Sequence, residues 1–465
     1  MSDSLPSVLV LGAGPAGLFA ALRAAELGAR TTLVTEREFG GMAANDGPVP
    51  VRTLAHAARL MREARQLGLY GIRAGQPHLD YQALLARAKE VVGEVREHST
   101  LRRQIEAAGT IVRENEGRCR FVDAHSVEAP SGERFSADRI IICTGGEARR
   151  LTVPGAELVA SHSGAWSLTE IPASMIVVGG GATGLQVASI FAAFGTSVEL
   201  FETAARFLAN EDEDVAAAVA QGFRQRGIVI HEGVGSIDRF ERTEGGVRMH
   251  YSDASGQLTS EAALAVAAIG WGVDGEALNL SAAGIVTDDR GYIRVDEHCR
   301  TSAPDIYAAG DVIGGVMLAP QAMQEGFLAA SAALGVPERA TARHLAPIGS
   351  FTDPEYARVG LTESEARSMH GVVSASVSFA EASRPIIDGR AYGFCKLVAD
   401  RSSRQILGCG VVGDRAVDIV QVAAVAMAAG MRVDELGHFP LSFPIYAGVL
   451  SQAAAKMTYL LNRCE

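Results

Sequence analysis

Residues Val8–Gly17 read VLVLGAGPAG. Four apolar residues make a short buried strand, and Gly12, Gly14 and Gly17 follow in G-x-G-x-x-G spacing before Leu18–Leu27 take up a helical period. Each glycine has its own task. The first allows the tight turn, the second lets backbone approach a pyrophosphate, and the third lets the helix pack on the strand. The pyrophosphate then rests on the unpaired N–H groups at the helix start. The next strand, Thr31–Glu36 (TTLVTE), ends in an acid about 20 residues past the motif, where a carboxylate takes a ribose hydroxyl. A lone glycine pattern is a weak signal, but strand, turn, helix and acid in this order predict a dinucleotide site.

The pattern recurs. Around 170 residues later, Met175–Gly184 (MIVVGGGATG) repeats strand, turn and helix start with Gly179, Gly181 and Gly184 in register, and SVELFE ends at Glu202. Two fingerprints imply two dinucleotides, and an enzyme that binds two usually moves a hydride between them. An acid at Glu202 suits a free 2′-hydroxyl and repels a 2′-phosphate, whereas sites for the phosphorylated cofactor offer arginine; Arg206, four residues on, is the nearby arginine. The expectation is NAD(H) over NADP(H).

Bulk properties bound the rest. The chain has 465 residues, enough for about three domains at roughly 150 residues each. A net charge of −12 and a pI near 5.5 argue against nucleic acid or an anionic membrane surface as partner. No apolar run is long enough to cross a bilayer, Ala416–Gly430 being short, so no integral membrane protein is expected. The N-terminus lacks the basic start of a signal peptide, and six scattered cysteines without a C-x-x-C pair suit a reduced, cytoplasmic setting. No metal-ligand spacing is apparent.

Between the fingerprints, Asp80–Ala108 reads as helical, Thr110–Asp138 as a β-rich excursion with turns at Glu116-Gly117 and Ser131-Gly132, and Arg139–Gly146 (RIIICTGG) as a returning strand. Gly227–Ala268 is again β-rich, and Thr301–Val312 (TSAPDIYAAGDV) runs into Gly310-Asp311. Pro337–Pro347 reads as a linker. Beyond it, strand-like runs (GFCKLVAD, ILGCGVVG) precede alanine-rich helices without a nucleotide motif, which leaves oligomerisation as the default role.

These motifs, in this order, resemble the flavoprotein disulfide reductase family, which includes dihydrolipoamide dehydrogenase, glutathione reductase and mercuric reductase. GAGPAG with Glu36 is similar to the family's FAD fingerprint, and GGGATG with Glu202 to its nicotinamide site. IICTGG resembles the ATG strand, matching at Thr144 and Gly145 with Cys143 in place of alanine. AAGDV resembles the second FAD motif, in which Asp311, after Gly310, would bind the ribityl chain. Leu318–Gly326 (LAPQAMQEG) resembles the helix start beneath the isoalloxazine, so Leu318, Ala319 and Gln321 are carried over as cofactor contacts, together with Gly41 and Gly270. Phe351–Ala366 resembles the opening of the dimerisation domain. The resemblance implies an α/β fold: two Rossmann-like three-layer domains for FAD and NAD plus an α+β C-terminal dimerisation domain. The expected bounds are 1–150 (FAD), 151–272 (NAD), 273–340 (FAD completed) and 345–465 (dimerisation), with a homodimer as the assembly.

The departures bear on function. Where the family holds its redox disulfide in a stretch resembling GGxCxxxxC-x-P-x-K, this chain reads GGMAANDGPVPVRTL from Gly40, with Ala43 and Pro48 at the cysteine positions. Neither can supply the thiolate that disulfide exchange requires. The family's C-terminal His-Pro-Thr with its following Glu aligns with LSFPIYAGVL, which places Phe443 and Gly448 at the acid–base positions and keeps Pro444. The family's lysine and its glutamate partner align with Arg52 and Gln186. Arg52, a permanent planar cation, would stabilise reduced flavin or bind an anionic acceptor, or else pair with another carboxylate.

Remaining candidates carry bland alternatives. Asp46 is an acid or substrate contact, or a turn residue in NDGP. Tyr446 is a proton donor toward a partner subunit, or packing. His438 lies near the lost dyad in another register, His56 reads as a packed helix residue, and Cys143 and Cys299 as small buried hydrophobes. Cys464 is a remote candidate for a mobile thiol. The expected function is an FAD-dependent NAD(P)H oxidoreductase that passes electrons from NADH to a small-molecule electron acceptor other than a disulfide: a quinone, an organic molecule or oxygen. Alternatives are a flavin-mediated transhydrogenase, a non-catalytic NADH-sensing flavoprotein, or a reductase supplied with thiols by a partner protein.

Overall fold

A computed structural model of the chain, which describes residues 5–98, 100–336, 338, 345–369 and 371–463, places Ser7–Leu11 at the centre of a five-stranded parallel sheet. The order across the sheet is Ile306–Ala308, Arg139–Ile142, Ser7–Leu11, Arg30–Val34, Ile111–Arg113. Val8, Leu9 and Val10 are all buried, as expected when a parallel sheet is covered on both faces. Leu11 pairs with Val34 on one side and Ile142 on the other, so three strand ends line up beside the glycine turn. The helices Pro15–Glu26 and Ala319–Ala333 pack backbone to backbone: a Cβ on Gly326 would lie 2.0 Å from Ala16 O. A small antiparallel sheet (Arg120–Asp123, Ser126–Glu128, Arg134–Ser136) and a two-stranded ribbon of Glu147–Ala148 with Trp271–Gly272 complete this unit, which comprises residues 1–53, 85–149 and 271–341.

The β-rich stretch Thr110–Asp138 is divided between two sheets. Its first strand, Ile111–Arg113, joins the main sheet through Thr32–Val34, and only residues 120–136 form the separate small sheet. The expected linker Pro337–Pro347 lies largely outside the described residues.

The second unit comprises residues 54–84, 150–270 and 342–465; the cut between the units falls within the helix Pro48–Gln66. Its parallel sheet runs Val229–His231, Ser197–Phe201, Ser174–Val178, Leu264–Ala267, Ala160–Ser161, with the helix Ala182–Phe194 following the second glycine turn. A three-stranded meander, residues 236–262, closes one face through Phe240, Met249 and Tyr251. The C-terminal part is a five-stranded antiparallel sheet (Ile348–Ser350, Tyr356–Gly360, Ile406–Val412, Phe394–Asp400, Val372–Ser378) covered by the helices Ala416–Ala428 and Gly448–Asn462. Among the described residues no helix is long and apolar enough to cross a membrane.

Candidate functional site

The two glycine turns are built alike. Gly12 has φ +104° and Gly179 +109°, and a Cβ on either would strike the carbonyl of the neighbouring strand, Cys143 O at 2.2 Å or Ala268 O at 2.3 Å. The third glycines, Gly17 and Gly184, close on the first: an added Cβ would sit 1.8 Å from Gly12 O and 1.9 Å from Gly179 O. Gly14 and Gly181, by contrast, face open space and have no atom within 4 Å of the missing Cβ. Each of these is the N-cap of its helix, and neither helix start is satisfied by a side-chain cap. Two concave turns with uncapped N–H groups are the donor set a pyrophosphate takes.

Around the first turn, Gly41 (φ +56°) leaves only 2.6 Å between its missing Cβ and Gly14 Cα, so the segment after Gly40 lies directly against the turn. Asn45 fixes that segment by donating from Nδ2 to Phe39 O (3.1 Å) and Gly41 O (2.9 Å), while its buried Oδ1 has no partner. A second orphan acceptor, Gln321 Oε1, lies in the first turn of Ala319–Ala333, which starts after Leu318. Gln321 Nε2 donates to Glu325 Oε1 (2.8 Å), and Glu325 Oε2 accepts from Gly310 N (3.0 Å). Asp311 follows, half-buried; burial and then the nearby Glu325 hold its carboxyl above the usual range. Buried acceptors without donors need an explanation, and a bound group carrying hydroxyl and N–H donors fits both. Thr144 and Gly145 follow the strand Arg139–Ile142, with Thr144 exposed. Glu36 is exposed at its strand end, where Oε2 accepts from Arg118 Nε at 3.1 Å; the same guanidinium pairs with Glu147 and with Asp274 (3.3 Å). Nothing local in the sequence marks Arg118, because its three partners come from distant segments.

Around the second turn, Glu202 accepts from Gly180 N through Oε2 (2.8 Å) and from Ala204 N through Oε1 (2.8 Å), which holds the carboxylate against the turn. Arg206 is occupied elsewhere: it donates to Leu208 O (3.0 Å), Ala209 O (3.1 Å) and Glu211 O (2.6 Å). Gly270 (φ +100°) faces open space, and Gln186 is half-buried on the helix Ala182–Phe194.

Ala43 lies on the short helix Gly41–Asn45, and Pro48 opens the helix Pro48–Gln66. Between them Asp46 is half-buried in the connecting turn, as the NDGP chemistry predicts, and Arg52 is exposed one turn into the longer helix. His56 is exposed, correcting the expectation of a packed residue: Leu54, Ala55 and Ala58 carry the buried face instead. The five described cysteines are all free. Cys143 and Cys299 share one apolar core, and burial pushes the Cys143 thiol up, as expected of small hydrophobes. Cys464 lies outside the described residues.

In the C-terminal segment Phe443 is 84% exposed, and Gly448 begins the last helix. Tyr446 packs against Phe379, and its hydroxyl donates to Asp388 Oδ2 at 3.0 Å. Burial and the carboxylates of Asp414 and Asp388 push that hydroxyl far up, so it stays protonated. His438 is exposed, its Nδ1 2.7 Å from Asp434 O. Among the described residues no three or more His, Cys, Asp or Glu side chains are grouped to hold a metal ion.

Two glycine turns of matching geometry, each followed by a strand-end acid, are the arrangement found in oxidoreductases of the two-dinucleotide class. Known proteins agree. Residues 6–326 match the pyridine nucleotide-disulphide oxidoreductase family, and residues 346–454 match that family's dimerisation domain. Dihydrolipoyl dehydrogenase of Geobacillus stearothermophilus is 31% identical, with 96% of this chain and 95% of the relative covered. That of Bacillus subtilis is 29% identical over 96% and 97%. LpdA from Mycobacterium tuberculosis superimposes with a TM-score of 0.89 at 26% identity, over 97% of this chain and 99% of that one. The chain belongs to the pyridine nucleotide-disulphide oxidoreductase family, whose members bind FAD and NAD(H).

Proposed function

We propose that the chain is an NADH-oxidising flavoprotein whose electron acceptor is not a disulfide. The observation that supports this reading lies in the sequence: by motif spacing Ala43 and Pro48 align with the family's dithiol positions and Phe443 and Gly448 with its acid–base pair, while both glycine turns keep the fingerprint spacing and close approaches. The dihydrolipoyl dehydrogenases it is similar to are named for a dithiol substrate, and the motif alignment of Ala43, Pro48, Phe443 and Gly448 argues for a different acceptor here. When bound, FAD supplies a two-electron acceptor for the hydride of NADH. The residues of the chain hold and select. Gly14, Gly17, Gly41, Thr144, Gly145 and Asp311 with Asn45 and Gln321 hold FAD; Gly181, Gly184, Gly270 and Glu202 hold NAD(H). Glu202, fixed by two backbone N–H groups, keeps lone pairs for a ribose diol and repels a 2′-phosphate, which favours NADH. Arg52 and Asp46 are the charged candidates on the acceptor side. Phe443, Phe439 and Ile445 form an exposed apolar run in the segment before the last helix, which suits a two-fold homodimer whose second copy covers it and an apolar acceptor pocket.

Anaerobic mixing of FAD-loaded protein with NADH tests the reading. Bleaching of the flavin band without the long-wavelength absorbance of a thiolate–flavin pair supports it, and a screen of quinones then finds the acceptor. Flavin that stays oxidised while NADH binds would move the protein to a sensing role. Turnover with dihydrolipoamide would overturn the non-disulfide assignment.

A further inference from the structure

The loop after Glu202 deepens the NADH reading, on which the following inference rests. Residues 203–211 fold over the second glycine turn: Leu208 N donates to Gly180 O, and a Cβ on Gly180 would touch Phe207 Cβ at 3.2 Å. The loop is tightly wound. Leu208 sits at φ +52°, a left-handed conformation unfavourable for leucine. Three of the five N–H donors of Arg206 hold this winding by donating to the carbonyls of Leu208, Ala209 and Glu211. The far end of the loop is anchored to the C-terminal sheet. Arg358 on the strand Tyr356–Gly360 donates from Nε to the buried Glu211 carboxylate at 2.9 Å and from Nη1 to Gly360 O at 2.6 Å. The next residue, Asp212, takes Lys396 Nζ at 2.8 Å and the backbone N–H groups of Glu363 and Ser364.

An arginine four residues after the strand-end acid is well placed, by position, to bind a 2′-phosphate. Its guanidinium is instead turned into its own loop. We propose that residues 203–211 form a latch that withdraws Arg206 from the ribose pocket, and that the Glu211–Arg358 pair is the positioning element that keeps the latch shut. Exclusion of 2′-phosphorylated nucleotides then has two layers: repulsion by Glu202, and sequestration of Arg206, which would otherwise receive the phosphate. The second layer is set from the C-terminal sheet, outside the nucleotide-binding sheet.

The two layers separate in a binding experiment on FAD-loaded protein, with ADP and 2′,5′-ADP as calorimetric probes and thermal unfolding as the check on folding. In the wild type, ADP binds and 2′,5′-ADP does not. Glu202→Ala weakens ADP about tenfold, through loss of one charge-assisted contact, and still takes up no 2′,5′-ADP. Glu202→Ala/Glu211→Ala gains 2′,5′-ADP binding by tenfold or more over Glu202→Ala, and adding Arg206→Ala abolishes that gain, which general loosening of the loop would not do. If Glu211→Ala does not fold, Arg358→Gln breaks the same pair from the other side. The latch is overturned if Glu202→Ala alone binds 2′,5′-ADP as tightly as the double variant, or if a folded double variant gains nothing. Wild-type protein that binds neither ADP nor NADH overturns the underlying nucleotide assignment instead, and does so before any variant is made.

Discussion

Replacing Gly181 by alanine separates binding from folding at the second glycine turn. Gly181 has φ −85° and ψ 179°, which alanine adopts without strain, and its Cβ would meet nothing within 4 Å. The fold therefore loses only the N-cap preference of glycine over alanine, about 1 kcal/mol. The added methyl does occupy the open face through which a diphosphate reaches the N–H groups of the helix start. Losing one charge-assisted hydrogen bond costs about 1.5–3 kcal/mol, which is roughly a 10- to 100-fold weaker NADH affinity. Gly184→Ala provides the contrast: its Cβ would lie 1.9 Å from Gly179 O, and separating helix from strand enough to fit it costs about 3 kcal/mol of stability. The assay is NADH titration of FAD-loaded protein alongside thermal unfolding and flavin content. Gly181→Ala should melt near the wild type, retain FAD and lose NADH affinity, whereas Gly184→Ala should melt early. A Gly181→Ala protein that binds NADH within twofold of wild type would refute the reasoning.

Lys396→Met leaves the carboxylates of Asp212, Asp214 and Glu363 facing one another around a buried site, and urea unfolding at neutral pH should show a loss of about 3 kcal/mol. Burial raises both carboxyls, but the hydrogen bond from Lys396 holds Asp212 below its usual range, and Ser374 and Arg367, then Lys396, do the same for Glu363; the lysine's stabilisation is therefore present above the ordinary carboxylate pKa and fades as pH falls through the depressed values, so the penalty must shrink on acidification. Glu355 has the opposite sign. Burial and then Asp414, opposed by Arg59, raise its carboxyl to about 7, so its contribution is complete below the unfolded carboxylate value and is lost as pH rises through 7. Glu355→Gln should gain on wild type between pH 5 and 8, by about 3 kcal/mol at most, and a pH-independent difference would count against it. Arg118→Ala removes the cation shared by Glu36, Glu147 and Asp274, and should release FAD severalfold faster on dilution with little change in melting, because all four groups are partly exposed. Ala43→Cys/Pro48→Cys should introduce two titratable thiols but not dihydrolipoamide oxidation, since neither Phe443 nor Gly448 can act as an acid or base; substantial turnover would show that no acid–base group is needed at those positions.

What the sequence discloses about this protein is local in range. The turn geometry at Gly12, Gly14 and Gly17, repeated at Gly179, Gly181 and Gly184, is readable because strand, turn and helix are neighbours in the chain, and the close approaches at the first and third glycines agree to within about 0.1 Å between the two turns. Glu36 and Glu202 are legible for the same reason. Arg118 is not, because Glu36, Glu147 and Asp274 meet it only after the chain has folded. Arg206 shows the limit most clearly. Its position suggests a phosphate ligand, and only the winding of residues 203–211 reveals that its hydrogen bonds are turned inward. His56 is exposed although its spacing suggests packing, because a helical period identifies a stripe without saying which stripe is covered; Ile111–Arg113 likewise reads as a strand without any mark of the sheet it joins.

The parallel sheet of the first unit has a consequence for biosynthesis. The strand Arg139–Ile142 pairs with Ser7–Leu11 on one side and with Ile306–Ala308 on the other. A ribosome delivers the first neighbour early and the second only after residues 143–305 have emerged, which at 5–20 residues per second takes roughly 8–30 s. For that interval Ile140, Ile141 and Ile142 border an unfilled hydrogen-bonding edge, the arrangement most prone to pairing with another chain. The nucleotide sheet, whose first strand in the chain is Ala160–Ser161, has all its strands by Leu264–Ala267 and can close while that edge waits. Nascent chains stalled between those two points should therefore be the ones that most need a chaperone.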